Sequence, residues 1–167
     1  LVFTLEGGVM FNLFKKNDSK GTSICAVSSG KLERIEKSID PVFSQKMMGD
    51  GLFIKPTSDR IVSPIDGEVV MMFPTLHAIG LKDENGNEYL IHIGVETVAL
   101  NGEGFKSFVE VNQKVKKGQL LITADFESMK DKITSSDIIL IATDGRKCVV
   151  SEEKDVAEGE ENIAIFE

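Results

Sequence analysis

The sequence predicts an all-β protein, a sandwich or barrel with at most short helices. From Ile24 onward, apolar-rich runs are short and alternate with breaks that hold Gly, Pro, Asn or Asp. Fifteen glycines stand against four prolines, which supplies many tight turns and favours short strands over long helices. Asn85-Gly86 between two apolar runs is the strongest short hairpin signal available to a sequence. Punctuation this frequent marks sandwiches and barrels.

Taken in order, the runs predict strands over 24–36, 52–55, 61–63, 67–73, 77–83, 88–94, 106–111, 119–123, 138–142, 147–150 and 162–166. Turn residues separate them at Asp40-Pro41, 48–51, 63–67, Asn85-Gly86 and Asp144-Gly145. Residues 125–133 predict one short helix, capped by Asp125. Residues 26–32 are echoed by 61–69, and Val115-Lys116-Lys117-Gly118 adds another turn-and-strand unit, a pattern that fits a duplicated β motif. Residues 1–9 precede Met10, where the text looks like a natural beginning, and are read as an artificial leader. Residues 10–23 read as a flexible N-terminal arm, whose Phe11, Leu13, Phe14, Lys15 and Lys16 allow at most peripheral membrane contact. The folded domain is expected over 24–167.

A length of 167 residues suits one domain with a sizeable core. Hydrophobic residues make up 41% and charged residues 28%, an ordinary globular composition. The net charge of -8 counts against nucleic acid as a partner and fits docking to a basic protein surface. No apolar run approaches the roughly 20 residues that a membrane span needs. Cys25 and Cys148 sit in apolar stretches, with no CxxC pair and no Cys/His cluster. They read as reduced, buried thiols in a cytoplasmic protein rather than as zinc ligands.

The chain contains two histidines, His77 and His92, and both fall in the hairpin around Asn85-Gly86. With Asn85-Gly86 as a two-residue turn, Glu84 opposes Asn87 and His92 opposes Ile79. Side chains alternate with period two, so His77, Ile79, Leu81, Leu90 and His92 are expected on one face. Diagonal neighbours then stand about 7–8 Å apart at the backbone, within reach of two imidazoles. A three-residue turn would shift the register by one and flip the face. Histidine in an apolar strand is most often a satisfied core residue. Two on one face, flanked by Ile91, Ile93 and Gly94, instead fit a desolvated, neutral imidazole that serves as a nucleophile.

At this point the residues resemble a known family. Thr75-Leu76-His77-Ala78, Ile91-His92-Ile93-Gly94-Val95-Glu96-Thr97-Val98 and Leu100-Asn101-Gly102-Glu103-Gly104-Phe105 are similar to glucose-type enzyme IIA of the bacterial phosphoenolpyruvate-dependent sugar phosphotransferase system. The resemblance extends upstream through 42–51, Ile54-Lys55-Pro56 and 63–67, and downstream through 115–118. It implies a flattened antiparallel β-sandwich with a duplicated hybrid motif and a shallow apolar depression holding both histidines. By position it implies that His92 takes the phosphoryl group on Nε2, that His77 stabilises it, and that the Thr75 hydroxyl orients His77. Phe43, Met47, Met48, Phe73 and Val98 match an apolar rim for partner proteins, and Asp40 and Glu96 match acidic rim positions. Two methionines where other members carry aliphatic residues make the rim more adaptable.

The implied partners are the histidine-containing phosphocarrier protein as donor and the sugar-specific IIB domain of the membrane permease as acceptor, with regulated metabolic enzymes or transporters as further partners. No cofactor and no obligatory metal is expected. His77 and His92 form a zinc site only at an interface, with a ligand supplied by the partner. Three other readings carry less. Ser128-Met129-Lys130 is similar to the modified-lysine motif of biotinyl carriers, but it follows the Val-Lys-Lys-Gly turn instead of preceding it. A zinc peptidase needs at least three protein ligands and an HxH pair is lacking. A purely regulatory binding module is compatible with phosphotransfer on the same face. The sugar is left open, and Met10 with the short arm favours a free-standing protein over a domain of a fused permease.

Overall fold

Period-two apolar patterning and abundant turns produce strands throughout residues 21–167, the part that this computed structural model describes. The leader and most of the arm therefore lie outside the described residues. The first seven strands are β1 (Thr22–Ile24), β2 (Gly30–Arg34), β3 (Gly51–Pro56), β4 (Arg60–Val62), β5 (Gly67–Met72), β6 (Ala78–Asp83) and β7 (Glu88–Val95). Then follow β8 (Phe105–Ser107), β9 (Lys114–Val115), β10 (Leu120–Ala124), β11 (Ser135–Ala142), β12 (Cys148–Val150), β13 (Asp155–Val156) and β14 (Ala164–Phe166). Helix is confined to single turns, α1 (Pro41–Ser44), α2 (Phe126–Met129) and two 3-10 turns at Ile35–Lys37 and Val98–Leu100. All strand pairs are antiparallel.

An eight-stranded sheet runs β13-β2-β3-β11-β7-β6-β5-β9, and two three-stranded sheets run β1-β14-β12 and β4-β10-β8. The main core lies between them. It joins Leu32, Ile54, Ile79, Ile91 and Leu140 of the large sheet to Ile24 and Phe166 of one small sheet and to Ile61 and Ile122 of the other. The antiparallel sandwich expected from the sequence is the architecture found.

The faint internal echo is real, and its offset is visible in the hydrogen bonds. Gly30 pairs with Val156 in one copy, and Gly67 pairs with Val115 in the other. Ala26 exchanges backbone bonds with Gly159 and Glu160, as Ser63 does with Gly118 and Gln119. Each turn is closed by its own side chain: Gln119 Oε1 accepts from Lys116 N, and Glu160 Oε1 accepts from Ala157 N. Val156-Ala157-Glu158-Gly159 is thus the counterpart of Val115-Lys116-Lys117-Gly118, a repeat legible in the sequence once the two are aligned on their glycines.

Several boundaries differ from expectation. The run 24–36 is two strands, because Cys25 and Val27 leave the ladder to bond Pro64 and Val62. The expected strand 106–111 is the shorter β8. The expected helix 125–133 is the single turn α2, with Asp125 accepting from Ser128 N as anticipated. Strands β9 and β13 are two residues each, too short for periodicity to register. Helix α1 was not foreseen, although Asp40 caps it by accepting from Val42 N and Pro41 occupies its first turn. Both cysteines are free thiols; Cys25 is buried and Cys148 half-buried, its thiol pushed up to about 12 mainly by burial.

A second apolar cluster forms on the outer face of the large sheet. Ala78, Leu90, Ile139, Ile141 and Phe53 build it, and α1 drops Phe43 onto it from above. This patch adjoins His92, whose ring packs on Phe43.

Gly118 and Gly159 both adopt left-handed backbone, φ 81° and 77°, and neither would meet another atom closely if given a Cβ. Gly118→Ala and Gly159→Ala should therefore each destabilise the fold by about 1–2 kcal/mol through backbone strain alone. Urea unfolding of the two variants checks this, and similar losses are expected if the two turns are equivalent.

Candidate functional site

The hairpin of β6 and β7 builds the site, but with a register one residue from that expected. Ala78 faces His92, Ile79 faces Ile91 and Gly80 faces Leu90. The loop has three residues, not two. Gly86 N donates to Asp83 O and Asp83 N donates to Asn87 O, with Gly86 left-handed at φ 86°. The Asp83 carboxylate decides the matter, since it accepts from the backbone of Asn85 and Asn87 and from the Asn87 amide. The expected common face is corrected accordingly: Ile79 and Leu81 enter the main core, whereas Leu90 joins the outer cluster with His92's neighbours.

The two histidines meet nonetheless. His77 lies just before β6, after Leu76 in left-handed backbone (φ 57°), so strand alternation does not govern it. Its ring stands 5.2 Å from that of His92, centroid to centroid and nearly perpendicular. Phe43 packs on His92 at 5.1 Å, and Phe73 packs on His77 at 5.1 Å. His77 is buried and His92 half-buried, so one imidazole is sheltered and the other opens to the surface.

Hydrogen bonds orient both rings. His92 Nδ1 is 2.8 Å from the Gly94 carbonyl. A carbonyl only accepts, so Nδ1 carries the proton and Nε2 of the neutral ring keeps its lone pair. Thr75 Oγ1 lies 2.5 Å from His77 Nδ1, which fixes that ring as well. Burial pushes the His92 imidazole below its ordinary value and the neighbouring His77 pushes the same way, against the Gly94 bond and Asp40, which pull it up. Burial alone lowers His77. A neutral, desolvated and oriented ring is what nucleophilic attack by nitrogen requires.

Of the expected rim residues, Phe43 and Phe73 touch the pair. Met47, Met48 and Val98 are exposed, Phe73 is half-buried and Phe43 is buried beneath α1. Asp40 is committed to capping α1, and Glu96 accepts a hydrogen bond from the Thr134 hydroxyl. Sequence reasoning missed Met71. A bulge between Val69 and Met71 breaks the alternation of β5 and leaves Met71 exposed, opposite Gly80 and two residues along β6 from the Ala78–His92 pair. Consecutive apolar residues at Val70-Met71-Met72 were its signal. Among the described residues no group of three His, Cys, Asp or Glu side chains converges, so a zinc ion on the two imidazoles would need a ligand from elsewhere.

The family model for the phosphoenolpyruvate-dependent sugar phosphotransferase system, EIIA 1, matches residues 22–148. The chain belongs to this family. The PTS system glucose-specific EIIA component of Bacillus cereus is 44% identical over 142 residues, covering 84% of this chain and 85% of that protein. The PTS system glucose-specific EIICBA component of Staphylococcus saprophyticus is 46% identical over 136 residues, 80% of this chain and 20% of that longer protein. The solved glucose permease IIA from Mycoplasma capricolum superposes with a TM-score of 0.79 at 33% identity, covering 89% of this chain and 96% of that one. EIIA membership makes the chain a component of sugar phosphotransfer between proteins, and both histidines lie within the matched span.

The depressed imidazoles give this EIIA domain a defined pH response. The unfolded chain titrates its histidines near 6.5, and the folded domain below that value. Between the two, the unfolded chain binds more protons, so stability rises with pH there. It should be fully present above about 6.5 and decline as pH falls through that value toward the folded ones. Urea unfolding across pH 5–8 should show this slope, and His92→Gln should flatten it.

Proposed function

We propose that this EIIA-family chain is the phosphocarrier of a glucose-uptake system, with His92 Nε2 as the phosphoryl acceptor. The observation that carries the proposal is the Nδ1 hydrogen bond to Gly94, which leaves Nε2 unprotonated on an apolar, open face. The glucose assignment rests on the names of the relatives from Bacillus cereus and Mycoplasma capricolum.

In the first half-reaction the Nε2 lone pair attacks the phosphorus carried by the histidine-containing phosphocarrier protein. A P–N bond forms to His92 while the donor's P–N bond breaks, and its electron pair returns to the donor imidazole. In the second, a cysteine thiolate of the IIB domain attacks the same phosphorus. A P–S bond forms and His92 recovers its lone pair. Transfer of this kind depends on positioning and charge stabilisation more than on covalent help. The phosphoryl group brings about -1.5 to -2 charge. On a protein of net charge -8 it needs nearby donors. With the Thr75 hydroxyl donating to Nδ1, the His77 Nε2–H becomes the donor, on a ring 5.2 Å from that of His92. The apolar surroundings limit water attack on the phosphoimidazole.

Phe43, Met47, Met48, Phe73 and Val98 form the rim on which both partners dock, with Asp40 and Glu96 as its acidic positions. The fused EIICBA relative carries this domain in one chain with further components, which fits a IIB partner for the present domain. Work in the cytoplasm accords with these partners; among the described residues no helix is long and apolar enough to cross a membrane. While His92 is unphosphorylated, the same rim is open to regulated enzymes or transporters.

His92→Ala should abolish label transfer from the radiolabelled phosphocarrier protein. His77→Ala should still accept label but pass it to a purified glucose IIB domain about 10²- to 10³-fold more slowly, the loss expected for one stabilising donor. Label retained on His92→Ala would overturn the assignment.

A further inference from the structure

Beside the Gly94 carbonyl, the end of β7 holds a buried hydroxyl, that of Thr97, which the phosphotransfer scheme does not otherwise use. Thr97 is completely buried, and its Oγ1 donates to the Ile93 carbonyl at 2.6 Å. Its methyl sits against Gly94: a Cβ built on Gly94 would come within 2.4 Å of Thr97 Cγ2 and 3.1 Å of the Ser135 carbonyl. Gly94 itself is left-handed at φ 77°, a conformation that leaves its carbonyl in reach of His92 Nδ1. On the other side, Ile93 N donates to the His77 carbonyl at 2.7 Å. The backbone of Ile93 is therefore clamped at both ends, by His77 at its N–H and by Thr97 at its C=O.

We propose that Thr97 is a positioning residue for His92. Its hydroxyl pins the Ile93 carbonyl and its methyl fills the space above Gly94. Pinning that carbonyl keeps the next one aimed at Nδ1 and holds the ring in the tautomer with a free Nε2. The threonine chemistry suits both tasks at once. Serine would keep the hydrogen bond and lose the methyl, whereas valine would keep the shape and leave a buried carbonyl without its donor. Thr97 also accepts from Leu100 N, which ties the same residue to the 3-10 turn carrying Val98. The role rests on His92 being the acceptor, but its signature is measurable without phosphotransfer.

The test is the ring ¹⁵N spectrum of His92 across pH in the full chain, for wild type, Thr97→Ser, Thr97→Val and Thr97→Ala, beside each variant's rate of label uptake from the phosphocarrier protein. Wild type and Thr97→Ser should show His92 protonated on Nδ1 above its titration. Thr97→Val should show a mixture of tautomers and take label about tenfold more slowly or worse, as small misplacements at a reacting centre do. Thr97→Ala leaves room for a water on the Ile93 carbonyl and serves if the valine variant does not fold. It should show the same mixture. Wild-type tautomer in both Thr97→Val and Thr97→Ala would overturn the proposal, as would slowed uptake with an unchanged tautomer, or a wild-type ring protonated on Nε2. Label on His92→Ala would refute the acceptor assignment while leaving the tautomer result standing.

Discussion

The hydrogen bond from His92 Nδ1 to the Gly94 carbonyl is the constraint on which the proposed phosphotransfer at this face depends. An imidazole in water exchanges between two tautomers, one of which presents the wrong nitrogen. Here a carbonyl two residues along the same strand removes that freedom. The bond needs a glycine in left-handed backbone at the end of β7, and that glycine needs room which only the absence of a Cβ provides. Burial of the ring between Phe43 and His77 then disfavours the imidazolium, so the free nitrogen stays unprotonated.

The duplicated sandwich serves this arrangement by making the large sheet rigid from below. Central strands β11 and β7 share a long register, with Ile139 beside His92 and Phe53 beside Ile139. Their inner faces are locked in the main core, which leaves the outer face free to carry a small, separate apolar cluster. Onto that cluster the single turn α1 sets Phe43 against the His92 ring. The result is an outer face that carries one imidazole oriented by its neighbours.

Much of this was legible in the sequence. Turn punctuation implied the all-β class, and the paired motifs around His77 and His92 named the family to which the chain belongs. The hairpin register was not legible, because Asn85-Gly86 fits a two-residue or a three-residue loop equally well. The Asp83 carboxylate, by accepting from Asn85 and Asn87, selects the latter. The rings still meet, since His77 stands outside the regular strand and escapes the parity that would have separated them. Met71 was hidden by a bulge, which breaks the alternation any pattern search relies on. Helix α1 is a single turn and the strands β9 and β13 are shorter still, below the length at which periodicity carries information. Thr97 was visible in the motif, yet nothing in its spacing revealed that its hydroxyl is buried against Ile93.

The central claim is that backbone geometry selects which nitrogen reacts. Phosphorylating the ¹⁵N-labelled chain with the phosphocarrier protein and recording the ³¹P–¹⁵N coupling identifies the bonded atom directly. Coupling to Nε2 of His92 is the result this account predicts. Coupling to Nδ1 of His92, or to either nitrogen of His77, would contradict it.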